Sequence, residues 1–155
     1  MRTASFSQRS TSDLLQFARQ TARAGHDQPA GILARAALVR HANNLLLWHS
    51  RIGRGLPRPS AVLLLLLRRH VIDRDGAKRL REVLAIGDRC SALVGEPVHF
   101  SEVAKLIDEV QLFVDSHPVD ERGLAEILRS YHDRTGFFGD PEDGADWWKG
   151  GGDND

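Results

Sequence analysis

The stretch that decides the fold is residues 81–95, R-E-V-L-A-I-G-D-R-C-S-A-L-V-G. Together with the preceding turn, it carries one face at the three-and-four spacing of a buried seam, made of Leu80, Leu84, Gly87, Ser91 and Val94. This spacing predicts a central amphipathic helix on which the rest of the chain packs. A glycine inside a helix costs about 1 kcal/mol relative to alanine. We therefore expect a neighbouring helix or a bound group to lie close to Gly87, and Gly95 to cap the helix.

The rest of the chain alternates apolar periodic segments with Gly and Pro breaks, and no segment shows the alternation of a strand. The predicted helices cover residues 10 or 12 to 24, 29–50, 60–72, 77–94, 101–117 and 120–136. Expected caps and breaks are Ser10 or Ser12, Gly25, Ser60, the pair Asp75 and Gly76, Ser101, Pro118 and Asp120. The prediction is an all-α protein, an antiparallel bundle of five to six helices with a disordered acidic C-terminal tail.

Each predicted helix has apolar residues that we expect to face the core. In the first two helices these are Leu14, Leu15, Phe17, Ala18, Ala22, Ile32, Leu33, Ala36, Val39, Leu46 and Leu47. In the last two they are Val103, Leu106, Ile107, Val110, Phe113, Val114, Leu124, Ile127, Leu128 and Tyr131. The pattern predicts one bundle domain over residues 1–135 and a separate tail over residues 136–155.

Length and composition indicate one cytoplasmic domain. A chain of 155 residues can bury a core without disulfides, and its one cysteine, Cys90, excludes an internal disulfide and fits a reducing compartment. Residues 1–10 have no apolar segment typical of a signal peptide. The apolar run of residues 61–67 is far shorter than the ~20 residues of a membrane span, so no membrane association is expected.

The net charge of zero hides a strong asymmetry. Residues 35–81 contain eleven Arg or Lys and two acidic residues, whereas residues 82–133 contain four basic and eleven acidic residues. A basic cluster of this kind can bind phosphates or an acidic protein face. The candidate nucleic-acid-binding residues are Arg51, Arg54, Arg58, Arg68, Arg69 and Arg74.

Residues 28–116 resemble the HEPN superfamily of helical domains, which are often found in defence and toxin systems. The segment L-A-R-A-A-L at residues 33–38 is similar to a helix of that family, and a basic loop and a short helix follow it. The segment V-L-A-I-G-D-R-C-S-A-L-V-G then stands where such domains carry their Arg-x4-6-His motif. The resemblance implies a helical fold and a homodimer.

The motif that the resemblance would require is degenerate. Arg89 takes the place of the phosphate-binding arginine, Cys90 that of the usual asparagine and Val94 that of the histidine. Val39 also replaces the glutamate of the earlier helix. Because valine cannot transfer a proton, general acid-base catalysis at that position is lost. The resemblance therefore implies a noncatalytic domain.

A second Arg-x5-His spacing, Arg35 to His41, satisfies the same loose pattern on another helix. About two such matches are expected by chance in this composition, and six residues along a helix turn two side chains to different faces. The pair is a weak candidate for a ribonuclease site. Its alternative interpretation is a surface arginine and a flanking histidine.

Other chemical motifs are missing from the sequence. The histidines show no metal-ligand spacing, and there is no phosphate-binding loop, dinucleotide fingerprint or nucleophile elbow, so no metal and no cofactor is expected. Cys90 is expected to be a packed thiol rather than a reactive one.

Three functions follow from these observations, in decreasing order of support. The first is a noncatalytic interaction module that forms a homodimer through the seam around Gly87 or binds a protein partner. The second is a module that binds RNA or DNA through its basic loop. The third is a ribonuclease that uses Arg35 and His41.

The tail, residues 136–155, joins an acidic composition to the adjacent pair Trp147 and Trp148. A solvated terminus needs no tryptophan, and two indoles left in water would be large apolar groups. One interpretation is a solvated end with a chance Trp pair. The other is a docking peptide whose tryptophans fill a groove on this domain or on a partner protein, while its carboxylates face arginines such as Arg51, Arg54 and Arg58.

Overall fold

The computed structural model describes residues 10–50, 58–92 and 95–135. For residues 50 and 131–135 it describes the backbone and not the side chains. The described residues form six α-helices and no β-strand, which confirms the all-α prediction. The helices are α1 (Thr11–Arg23), α2 (Asp27–Ser50), α3 (Pro59–Arg68), α4 (Arg74–Ser91), α5 (Phe100–Ser116) and α6 (Glu121–Thr135). The predicted tail, residues 136–155, lies outside the described residues.

The helix around which the domain is built is α2, and the prediction that residues 81–95 would form the central helix is wrong. Helix α2 contacts all five other helices, whereas α4 contacts α2, α3 and α5. Helix α2 has 24 residues and is buried on several of its faces. Its core residues are Ala30, Ala34, Ala37, Leu38, Ala42, Leu45 and Leu46. A helix that is apolar on most sides is surrounded by others, and small alanines let those helices approach closely.

Helices α2 and α4 cross at two glycines. A Cβ atom on Gly87 would lie 2.8 Å from Arg35 Cβ, and one on Gly31 would lie within 2.9 Å of the Cys90 side chain. The prediction of a close neighbour at Gly87 is therefore confirmed, and the neighbour is α2 of the same chain. The seam around Gly87 is consequently covered within the chain and cannot also be a homodimer interface.

The helix directions follow from the contacts between named residues. Gln28, near the start of α2, contacts Cys90 of α4, and Arg35, further along α2, contacts the earlier residue Asp88. These two helices are therefore antiparallel. Gly31 and His41 of α2 instead lie against Val103 and Phe113 of α5. Helices α2 and α5 thus run parallel, and the bundle is not antiparallel throughout.

Four predicted helix starts can be compared with the structure. Ser10 caps α1 with a capping box, and Asp120 accepts from Arg122 at the start of α6, both as predicted. Ser60 and Ser101 are not caps. Helix α3 begins with Pro59, whose missing N–H costs nothing in a first turn. The Nδ1 atom of His99 accepts from the Ser101 backbone instead, at the start of α5.

The boundaries of α3 and α4 differ from the sequence prediction. Helix α3 ends at Arg68 rather than at Ile72, because His70 takes a left-handed conformation (φ 60°) that is normally favourable for glycine. Asp73 then accepts from Gly76 N at 2.6 Å, so the predicted break at Gly76 is the first turn of α4. Helix α4 ends at Ser91, four residues before the predicted cap Gly95.

Most of the predicted core is confirmed, and the errors concern single residues at helix edges. All the predicted residues of α5 from Val103 to Phe113 are buried, and Val114 packs partly buried against the core. Phe17, Ile32, Leu128 and Ser91, which were predicted to face inward, are exposed. Each lies at the border of its apolar stripe, where the packing of the neighbouring helix decides exposure. Val94 and the side chain of Tyr131 lie outside the described residues.

Candidate binding groove

A groove of about 830 Å³ lies between α3 and α4. Its apolar floor consists of one alanine and three leucines of α3 with an alanine of α4, and its rim carries four cationic side chains and one carboxylate. The floor residues are Ala61, Leu63, Leu64, Leu67 and Ala77. The charged rim residues are Arg58, Arg74, Lys78, Arg81 and Glu82. The groove therefore combines apolar surface with a positive border.

The groove follows from the sequence pattern of the two helices. Residues 62–67, V-L-L-L-L-L, are apolar around the whole circumference of α3. The side facing the core buries Val62 and Leu66 completely, and Leu64 on the other side is 47% exposed. On α4, Arg74, Lys78 and Arg81 follow one another at spacings of four and three residues and share one face. Two faces of unlike chemistry thus meet along the groove.

Four arginines elsewhere in the bundle pair with carboxylates, whereas the rim cations have no carboxylate partner among the described residues. Arg19, Arg35, Arg79 and Arg89 pair with Asp108, Asp88, Glu109 and Glu102, at distances between 2.7 and 3.5 Å. Among the described residues, none of the four rim cations forms an ion pair. Their positive charge is available to a ligand.

The structure separates the six arginines predicted as a nucleic-acid surface. Arg58 and Arg74 line the groove, whereas the exposed Arg68 and Arg69 lie at the end of α3 and do not line it. Arg51 and Arg54 lie outside the described residues. The prediction did not include Lys78 and Arg81. Their spacing from Arg74 would have indicated a shared helix face if the predicted helix had begun at Arg74 rather than at residue 77.

Arg89, which the HEPN resemblance would match to the arginine of that motif, is bound to a carboxylate. Its Nη2 atom lies 2.8 Å from both carboxylate oxygens of Glu102, which also accepts from the His99 backbone. The hydrogen bond raises the pKa of the Arg89 guanidinium, and the same bond lowers the pKa of Glu102. Arg89 thus ties α4 to the start of α5. Val94, at the place of the family histidine, lies outside the described residues.

The structure does not bring Arg35 and His41 together. Arg35 extends over Gly87 and donates from Nε to Asp88 at 2.7 Å on α4. His41 is 4% exposed and points to the junction of α5 and α6, where its Nε2 lies 2.7 Å from the carbonyl oxygen of His117. The two side chains contact different helices.

His41 has a structural role in this geometry. Its ring packs edge-on against Phe113 at 5.0 Å, and its Nε2–H donates to the His117 carbonyl in the neutral tautomer. Burial, the largest influence, lowers the pKa of His41 from its usual 6.5. The folded protein therefore favours the neutral imidazole.

A dependence of stability on pH follows from this lowered pKa. Below pH 6.5 the unfolded chain binds a proton at His41 before the folded chain does, so the free energy of unfolding falls as the pH decreases. Urea unfolding at pH 7.5 and 5.5 measures this loss. The loss should be smaller in His41→Gln, whose amide can still donate to the carbonyl of His117. An equal loss in both proteins would contradict this role of His41.

Cys90 is buried, as predicted, and packs beside Gly31. Burial raises the pKa of its thiol. Cys90 therefore stays protonated at neutral pH and acts as a small apolar group in the crossing of α2 and α4.

A second cavity, of about 500 Å³, lies between the start of α4 and the end of α5. Its lining includes Arg79 and Glu109, which already pair with each other at 3.5 Å. Asp73 also lines this cavity, so it has no excess of arginine or lysine over carboxylates, in contrast to the rim of the α3–α4 groove. The described residues contain no cluster of three His, Cys, Asp or Glu that could hold a metal ion. Within the same part of the chain, no helix combines the length and apolarity needed to cross a membrane.

The comparisons with known proteins assign neither a family nor a function to this chain. No protein-family model matches this chain, and neither a curated protein nor a solved structure matches it. The residues that the structure describes form an all-helical domain of six helices, with a groove between α3 and α4 that is apolar inside and bordered by positive charge.

Proposed function

We propose that this protein is a noncatalytic helical interaction module that binds an acidic peptide segment in the α3–α4 groove. The segment carries bulky apolar side chains for the leucine floor and carboxylates for the cationic rim. The observation that carries the proposal is the set of cations Arg58, Arg74, Lys78 and Arg81 around exposed Leu64, which form no ion pair within the described part of the chain.

An amphipathic peptide uses both parts of the groove. Burying apolar side chains against Leu63, Leu64 and Leu67 contributes roughly 25 cal/mol for each Å² removed from water. The charges on the rim add modest affinity, since exposed ion pairs contribute about 0.2 to 1 kcal/mol each, but they select for acidic partners and speed association. The combination favours acidic ligands with an apolar centre over ligands that offer one property alone.

Binding of RNA or DNA is the second candidate function. Clustered cations suit phosphates, but proteins that bind single strands also offer aromatic side chains for the bases to stack on. The apolar part of the described lining is aliphatic, and the described lining contains no aromatic residue. The acidic peptide is therefore the better match.

The noncatalytic part of the proposal rests on the positions of the candidate residues. Arg89 forms an ion pair with Glu102, and Arg35 forms one with Asp88. His41 is buried and donates to a backbone carbonyl. A ribonuclease would need an arginine and a histidine that meet at one accessible place.

The HEPN resemblance and the homodimer also belong to the proposal. In support of the resemblance, the helix with residues 33–38 and the helix with Arg89 are packed against each other through Arg35 and Gly87. A homodimer would have to use a surface other than the Gly87 seam. Sedimentation at micromolar concentrations tests it, and a monomer at every concentration would remove this part.

Binding to three dye-labelled probes tests the proposed function. The acidic probe is a 12-residue peptide with six aspartates around two adjacent phenylalanines, the polar probe has serines in place of the phenylalanines, and the third probe is a single-stranded 12-nucleotide RNA. Fluorescence polarisation on the full chain should give the tightest binding for the acidic probe, by about tenfold over the polar probe. Tighter binding of RNA would favour the second candidate. No binding of any probe, either to the full chain or to its full-length variant Trp147→Ser with Trp148→Ser, would contradict both.

A further inference from the structure

We infer that the segment bound in the α3–α4 groove is the C-terminal segment of this same chain, residues 136–155, with Trp147 and Trp148 on the leucine floor. This inference rests on the proposed function, because it names the occupant of the same groove. It also assigns a regulatory role: a partner with the same chemistry must displace the segment before it can bind.

The charges of the two parts are complementary. The segment contains Asp140, Glu142, Asp143, Asp146, Asp153 and Asp155 against the single cation Lys149, which gives a net charge of −5. The rim carries four cations against Glu82, and these cations have no ion pair among the described residues. Opposite charges of this number attract over about a Debye length, ~8 to 10 Å at physiological salt.

The apolar parts also match in size and kind. Two adjacent indoles form a group about as large as a small ligand, and a groove of about 830 Å³ falls within the range of roughly 300 to 1,000 Å³ that holds such ligands. Each tryptophan can remove about 150 to 250 Å² from water on burial. Leu64, which is 47% exposed, would be covered in the same step.

The length of the connecting chain allows binding within one molecule. Twelve residues lead from Thr135, the last residue of α6, to Trp147. Twelve residues can span at most about 40 Å, and a domain of this length has a radius of gyration of about 15 Å. A fully extended linker is thus about as long as the domain is wide, which permits the segment to bind within one molecule. A tethered segment acts at an effective concentration in the millimolar range, so even a weak contact keeps the groove largely occupied.

Fluorine NMR of the full chain labelled with 5-fluorotryptophan tests the inference directly. The protein gives one resonance for each of Trp48, Trp147 and Trp148, and single Trp→Phe variants assign them. In Leu64→Glu, the resonances of Trp147 and Trp148 should move to the position of 5-fluorotryptophan in the urea-unfolded chain, while that of Trp48 stays in place. The matched control is Leu112→Glu on α5, since Leu112 is 50% exposed and lies outside the groove.

Three results of this measurement would overturn the inference. The first is tail resonances that already lie at the unfolded position in the wild-type chain. The second is an equal response to Leu64→Glu and Leu112→Glu, which would place the tryptophans elsewhere. The third is a bound signal that is lost on dilution from 500 to 10 μM, which would mean that the groove takes the tail of a second copy.

The acidic probe separates failure of this inference from failure of the proposed function. In the full-length variant Trp147→Ser with Trp148→Ser, the probe should bind about tenfold more tightly than in the wild type, because the tethered competitor is weakened. Equal affinity in both proteins would overturn the role of the tail and leave the groove function standing. No binding to either protein would contradict the groove function itself, and the fluorine spectra would still report where the tryptophans lie.

Discussion

Replacing Gly31 by alanine is expected to destabilise the fold by about 2 kcal/mol, although alanine is the better helix former by about 1 kcal/mol. The added Cβ would overlap the side chain of Cys90, which is fully buried and cannot turn away into solvent. Helices α2 and α4 would have to separate, and the loss of packing would extend along their contact. Urea unfolding of the full chain at pH 7.5 measures the change.

A double-mutant cycle identifies the contact responsible. Cys90→Ala removes the sulfur atom that the new methyl group would meet, so Gly31→Ala should cost about 1 kcal/mol less in that background. Gly95→Ala is the matched control, because no atom lies within 4 Å of a Cβ placed there, and it should change stability by less than about 0.5 kcal/mol. A Gly31→Ala protein as stable as the wild type would contradict the close crossing of α2 and α4.

Reversing two rim charges is expected to have the largest effect on binding. In the Trp147→Ser, Trp148→Ser background, in which the tethered competitor is weakened, Arg74→Glu with Arg81→Glu should weaken binding of the acidic probe by at least about tenfold, since two attractions become two repulsions on one face of α4. Both residues are exposed and lack an ion pair among the described residues, so stability should change little. Fluorescence polarisation at 50 and 200 mM salt measures the affinity.

The matched control for this variant keeps the same change in net charge. Arg122→Glu with Arg129→Glu places two reversals on exposed positions of α6, away from the groove. It should weaken the probe less than about threefold, through long-range charge alone. Equal losses in the two variants would show that only net charge matters and that the groove does not bind the probe.

The all-α class and many local features could be predicted because they depend on nearby residues. The capping box at Ser10, the seam of α5 and the stop at Gly25, which has a positive φ of 86°, are all set within a few positions. The left-handed conformation of His70 could not be predicted, since the apolar pattern continues through Ile72 and no glycine marks the end of α3.

The central position of α2 required information on packing between distant segments. Its alanines are weak signals in the sequence, but buried alanines such as Ala34 and Ala37 allow several helices to approach at once. The seam of α4 gave a stronger amphipathic pattern because that helix has one buried face and one exposed face. A clear amphipathic stripe thus marks a helix at the surface of a bundle, and a central helix has less contrast.

The groove was only half predictable for a related reason. The basic composition of residues 35–81 indicated a positive surface, and Arg58 and Arg74 were among the candidates. The partners of each arginine decide which charges remain available, and these partners lie far away in the sequence, as for Arg35 with Asp88 and Arg79 with Glu109. Only the folded chain separates neutralised cations from the four that border the groove.

Methyl NMR of the full chain during titration with the acidic probe tests the central claim most directly. The account predicts that the methyl resonances of Leu63, Leu64 and Leu67 shift progressively and saturate, while those of Leu112, in the second cavity, stay in place. The same titration with the polar probe should produce smaller shifts of the same residues. Shifts centred on Leu112, or none at Leu63, Leu64 and Leu67 when the probe is bound, would contradict the assignment of the α3–α4 groove.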